Sequence, residues 1–321
     1  LLAPRVPYED GTARSVLCAP LWVTGPTEGA DRVVGLVALE APAAPTPCEE
    51  GHLGLLSAIV NLAASRLESV RLREETADQR RLEEDLRGAA RIQASLLPEE
   101  EPVIEGWDIG GSSRLCSSVG ADYYDFALDR GELVFGLGDV AGKGLAAALL
   151  MAALRAAVRA LWFETAPLPE LISRISDNLR QTLPSNRYAT LFYAEISPGS
   201  GHIRYLNAGH NPPFVMRGCG RVEDLPASSF PLGMLPSVTY QEGVLDMEPG
   251  EMLLIYSDGL SEATNREGEE FSPQRIRNLM PGLRNETVQR AGEALLADVR
   301  EFLQKERPHD DLSIVLVRRE S

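Results

Sequence analysis

Apolar positions recur along this chain with two different periods. Residues 15–23 (SVLCAPLWV) and 32–39 (RVVGLVAL) are short Val/Leu-rich runs bounded by Gly/Pro segments and read as strands. The turn TGPTEGAD separates them. After APAAPTPCEE the period changes, and acids in the first turn suit the start of a helix. Leu56, Val60, Ala63, Leu67 and Val70 keep the 4-3-4-3 spacing of a coiled-coil seam. The polar stretch REETADQRR interrupts it, and Leu82, Leu86 and Ala89 resume it displaced, which amounts to a stutter. Gly88 weakens the helix further, by roughly 1 kcal/mol relative to Ala. The pattern predicts one helix over 53–97, ending at Pro98.

From about residue 107 the strand period dominates. The runs are ELVFGLG (132–138), YATLFYAEI (188–196), HIRYLNA (202–208), PPFVMR (212–217), EMLLIYS (251–257) and LSIVLVR (312–318). Helical stretches at 145–162, 168–182 and 287–305 lie between them. Strands outnumber crossovers and several adjoin through short turns such as SPGSG, so mostly antiparallel sheet with outer helices is expected.

Composition narrows the function classes. The 321 residues allow two domains, and no run approaches the roughly 18 to 20 apolar residues of a membrane span. The chain opens at Leu1 with no basic segment and apolar core, which suggests a fragment without a signal peptide. A formal net charge of -16 repels nucleic acid and anionic lipid, so neither is expected as a partner. Cys18, Cys48, Cys116 and Cys219 are scattered without a C-x-x-C pair; reduced thiols in a cytoplasm are expected, without a disulfide framework or zinc site.

The candidate chemistry begins at GDVAGKG (138–144), a glycine-rich turn between a strand and an Ala-rich helix. A phosphate loop needs G-x-x-x-x-G-K-[ST], yet the first Gly position holds Leu137 and the Ser/Thr position holds Gly144. The alternative makes Asp139 the working residue, delivered by its strand. Other strand ends repeat the pattern. Asp258-Gly259 follows EMLLIYS, Asp122 and Asp125 lie in GADYYDF just before a strand, and Asp310-Asp311 precede LSIVLVR. Clustered carboxylates repel unless protonated or neutralised, and an all-oxygen set without a Cys/His cluster suits magnesium or manganese. Two such ions ~3.5–4 Å apart activate water for in-line displacement at phosphorus. Scattered, solvated aspartates are the competing outcome.

At these residues the chain resembles the PPM/PP2C-like serine phosphatases of the bacterial SpoIIE/RsbU type. The ordered motifs are AARIQASLLP, VGADYYDF, GDVAGKGLAAALLMA, NAGHNPPF, FPLGM, YSDGLSEATN and HDDLSIVLV, covering about residues 89–318. The resemblance implies an α+β fold, an αββα sandwich of two antiparallel sheets with helices outside. Carried over by position, it implies that Asp122, Asp139, Asp258 and Asp310 and the backbone carbonyl of Val140 bind two Mn2+ or Mg2+ ions. Asp139 would bridge them, with a metal-bridged water as nucleophile. Asp125 and Asp311 match family positions as supporting residues. Two departures stand out: Gly120-Ala121 replaces a Gly-Gly pair, and Phe271-Ser272 replaces Phe-Gly. The arginine that grips phosphate in eukaryotic relatives has no identifiable counterpart. His210 reads as a turn residue or a proton donor; His309 and Lys143 read as surface groups or as aids to catalysis.

The first 70 residues resemble the later half of a GAF domain. The implied organisation is a partial GAF-like sensor (1–70), a helical linker (71–97) and a phosphatase domain (98–321). The expected function is a cytoplasmic, sensor-controlled protein serine/threonine phosphatase. The resemblance implies a substrate such as a phosphorylated STAS-domain anti-sigma-factor antagonist, and a homodimer formed through sensor and linker. A catalytically inactive phosphatase-fold scaffold is the alternative.

Overall fold

The computed structural model describes residues 2–7, 13–23, 32–42, 49–129, 131–162, 164, 166–184, 186–197, 199–226, 229–304 and 306–320. The turn at 24–31 and Cys48 lie outside the described residues. The chain divides into two compact units, Leu1–Asp85 and Leu86–Ser321.

In the first unit β1 (Leu2–Pro7), β2 (Ala13–Val23) and β3 (Arg32–Pro42) form an antiparallel sheet in the order β1-β2-β3. Helix α1 spans Glu50–Ala94 without a break, so the displaced seam and Gly88 do not interrupt it. Alternate residues of β2, Leu17, Ala19 and Leu21, pack against Leu56, Val60 and Ala64, one helical turn apart on α1. Two expected seam residues, Leu56 and Val60, thus belong to a core within the unit, whereas Leu67, Val70 and Leu82 are exposed. By length and composition alone α1 is apolar enough to cross a membrane, which no single apolar run had suggested.

The second unit contains two five-stranded sheets. One has the order β10-β9-β12-β13-β4, comprising β4 (Trp107–Arg114), β9 (Phe214–Met216), β10 (Val222–Asp224), β12 (Met252–Tyr256) and β13 (Leu312–Arg319). The other has the order β11-β8-β7-β6-β5, comprising β5 (Asp122–Asp129), β6 (Glu132–Val140), β7 (Ala189–Ser197), β8 (His202–Ala208) and β11 (Gly243–Asp246). All the pairings are antiparallel.

Side-chain alternation divides the apolar residues into three layers. Leu133, Phe135 and Leu137 of β6 meet Ile255, Val315 and Val317 between the sheets. On the outer face of the same sheet, Val134 and Leu191 pack with Met151 and Leu154 of α2 (Leu145–Leu161) and Ile172 and Ile175 of α3 (Leu168–Thr182). Beyond the other sheet, Leu254 and Leu316 pack with Ile276 of α5 (Pro273–Leu279) and Leu295 and Val299 of α6 (Val288–Leu303). A short helix α4 (Asp258–Ser261) follows β12. The layers are helix, sheet, sheet, helix.

Candidate metal-binding site

The sandwich brings the ends of β5 and β6 to those of β12 and β13. The β5–β6 register sets Asp122 opposite Asp139. Both acids belong to the ladder, so Asp122 and Asp125 stand on β5 itself and not ahead of a strand as the sequence suggested. In the other sheet β12 pairs with β13 up to Tyr256 and Ile314, so Asp258 and the Asp310-Asp311 pair emerge side by side.

Two glycines permit this approach. A Cβ on Gly259 would overlap the backbone carbonyl of Asp311, and one on Gly120 would overlap the Asp311 carboxylate and Leu115. Ala121 is buried and is not among the non-glycine residues with positive φ, so alanine is accommodated there without strain. Ser272 does adopt a positive φ of 71°, and its side chain accepts from Arg275 N at the start of α5.

Burial and mutual repulsion dominate the electrostatics. Burial raises the Asp122 carboxyl well above its ordinary range, and Asp139 raises it further. Asp122 Oδ2 is buried without a hydrogen-bond partner in a polar site. Burial, then Asp258 and Asp310, push Asp139 up to about 7. Asp258 is raised by burial and then by Asp310. Asp258 and Asp310 therefore act across the two sheets on Asp139, which in turn acts on Asp122.

A second group of metal-capable atoms lies beside these acids: Cys116, Asp310 and Asp311 come within 4.8 Å of one another. Burial, followed by Asp311, pushes the Cys116 thiol up to about 11, which keeps it protonated at neutral pH. Asp311 is committed to the backbone. Its Oδ1 accepts from Cys116 N at 2.9 Å and its Oδ2 from Ala121 N at 2.8 Å, fixing the loop that enters β5. Asp125 is fully buried on the outer face of β5 and takes two hydrogen bonds from Arg159, at 2.6 and 2.8 Å, with Arg155 at 3.5 Å. It anchors α2 and does not join the other acids.

His210 is buried, its ring 2.9 Å from Thr190 and its backbone N–H donating to Asn207 Oδ1. Burial pushes its pKa down to about 3, so it is neutral near pH 7 and serves the turn. Lys143 Nζ donates to the His309 carbonyl at 3.3 Å. Val140 is a buried residue at the end of β6, its N–H directed at the Ala121 carbonyl.

Sequence reasoning passed over Gln93. This buried side chain donates to Gly120 O at 2.6 Å and accepts from Gly120 N at 2.9 Å, holding the end of α1 to the loop before Asp122. Its only signal was membership of the AARIQASLLP motif. Arg187, which donates to the Ala141 carbonyl, carried no signal at all.

The Stage II sporulation protein E (SpoIIE) family profile matches residues 129–320. "Phosphoserine phosphatase RsbU" of Bacillus subtilis is 28% identical over 246 residues, covering 75% of this chain and 72% of that protein. "Protein IcfG" of Synechocystis is 30% identical over 220 residues, covering 60% of this chain but only 35% of that protein's length. Among solved structures, the SiaA-PP2C domain of Pseudomonas aeruginosa shares the fold, with a TM-score of 0.65 at 19% identity over 76% of this chain and 99% of that one. The chain belongs to the SpoIIE family of PP2C-type serine/threonine phosphatases, which are hydrolases.

Proposed function

We propose that this chain is a metal-dependent phosphoserine/phosphothreonine protein phosphatase. Asp122, Asp139, Asp258, Asp310 and the Val140 carbonyl would hold two Mn2+ or Mg2+ ions. The observation that carries this reading is the unpartnered, buried Oδ2 of Asp122 facing further raised carboxylates. Such a donor set is all oxygen and short of positive charge, which fits hard divalent cations. When bound, the ions would supply an activated water and offset charge at phosphorus. The protein positions the donors: the β5–β6 register fixes Asp122 against Asp139, Asp311 and Gln93 fix the entering loop, and Gly259 lets Asp258 approach β13.

The substrate is a phosphoserine or phosphothreonine on a regulatory protein, with a phosphorylated STAS-domain anti-sigma-factor antagonist as the leading candidate. Residues 1–70 act as a GAF-like sensory part, and the helix joins two copies as a dimer whose register sets activity. The setting is cytoplasmic. A phosphate-release assay on a phosphorylated STAS protein tests the reading. Release that requires manganese, stops with chelator and is abolished by Asp139→Asn or Asp258→Asn is expected. Unchanged manganese-dependent turnover in either variant rejects the site.

A further inference from the structure

The cluster of aspartates poses a problem for any phosphatase reading. A phosphomonoester is a dianion, and acids alone repel it. The structure offers a cation beside the loop that follows Asp139.

Arg187 precedes β7, in a segment that lies against the loop following Asp139. Ala141 N donates to Tyr188 O at 2.9 Å, and the Arg187 guanidinium donates back to Ala141 O. The backbone N–H of Arg187 is itself tied to Pro184 O at 2.9 Å, which holds the backbone from which the side chain leaves. Gly142 has a φ of 112°, and a Cβ there would overlap the guanidinium. The glycine that looked like part of a nucleotide loop therefore makes room for a cation.

That cation has no carboxylate partner among the described residues, a trait it shares with Arg318 and Arg319, but it alone of these lies against the loop that follows Asp139. Arg159, Arg174, Arg204, Arg217 and Arg277 each pair with a carboxylate. Among the described residues Arg187 pairs with none, and one carbonyl engages only part of its five-donor fork. Lys143, on the same loop, likewise meets a carbonyl, that of His309 beside Asp310. Among the described residues, two cations without a carboxylate partner thus meet at the loop after Asp139: Arg187 against Ala141, and Lys143 against the residue before Asp310.

We propose that Arg187, with Lys143 beside it, forms an oxyanion seat at the rim of the aspartate cluster that receives the phosphoryl oxygens of the substrate and the phosphate product. A planar guanidinium fork with free donors suits two phosphate oxygens, and Lys143 adds a point charge. This rests on the phosphatase reading. Arg187 is a substrate-binding residue, and the acids retain the ion-holding role.

Calorimetric titration of inorganic phosphate into the full manganese-loaded chain tests it, alongside separate manganese titrations. Arg187→Ala is expected to weaken phosphate binding by about tenfold to a hundredfold, the range for a hydrogen bond to a charged group. Arg187→Lys should recover part of the loss, and manganese affinity should stay within about threefold of the parent in both. Equal phosphate affinity in parent and Arg187→Ala overturns the assignment. So does a parallel fall in phosphate and manganese affinity, which would mark Arg187 as a loop fastener only. If the parent turns over a phosphoprotein while Arg187→Ala binds phosphate normally, the seat is wrong and the phosphatase stands. If Arg187 governs phosphate binding but no phosphoserine protein is hydrolysed, the seat stands and the phosphatase reading falls.

Discussion

Asp139 carries a carboxyl raised by burial and by Asp258 and Asp310, opposite an Asp122 raised still more clearly. The sign of the resulting pH dependence follows from proton counting. As pH rises above the ordinary aspartate range, the unfolded chain releases a proton that the folded chain keeps. The folded state then binds more protons, and stability falls with rising pH until the folded group titrates near 7. In chelator, the thermal midpoint should therefore drop between pH 5 and pH 8, and manganese should restore it at the upper end. Asp139→Asn removes a repelling charge from the same place. In chelator at pH 8 it should fold more stably than the parent, by on the order of 1–2 kcal/mol, while losing phosphate release. Denaturant melts of the two proteins measure this; a variant less stable than the parent contradicts the electrostatic account.

At the scale of elements, β5 shows what a sequence pattern hides. Its Asp122 and Asp125 break apolar alternation, so the sequence set them just before a strand and not on one. The ladder to β6 and the Arg159 pair on Asp125 make it a strand nonetheless. Likewise β4, WDIGGSSR, has little strand propensity and pairs along its whole length with β13. The well-patterned elements were legible: α2, α3 and α6, and the apolar strands β6, β8 and β13, fall within a residue or two of their expected bounds. The four aspartates were legible as strand-end acids, but Gln93 and Arg187 act through backbone groups far along the chain, and one-dimensional spacing carries no trace of that. The Asp125 anchor supports a prediction of its own. Asp125→Ala removes the fully buried carboxylate from the partly exposed Arg155 and Arg159 and should cost about 2 kcal/mol in a urea melt, the scale of hydrogen bonds to a charged group. A loss below about 1 kcal/mol would show that the pair contributes only as an exposed one does.

For the whole molecule, the unbroken α1 is the feature with the widest reach. Leu67, Val70 and Leu82 remain exposed on it, as a seam between two copies requires. Deleting residues 74–77 removes four helical positions, which shifts one half of the helix by about 6 Å and roughly 40° relative to the other. If register sets activity, the deletion should change either the phosphate-release rate or the mass measured by light scattering. A parent-like rate together with a parent-like mass would end that proposal. A final consequence attaches to the elevated carboxyls of Asp122 and Asp139. Near neutrality the Asp139 carboxyl is an oxygen that hydrogen and a divalent ion contest. Filling the centre must expel hydrogen ions into the buffer, so alkalinity and ion concentration become interchangeable ways of loading it.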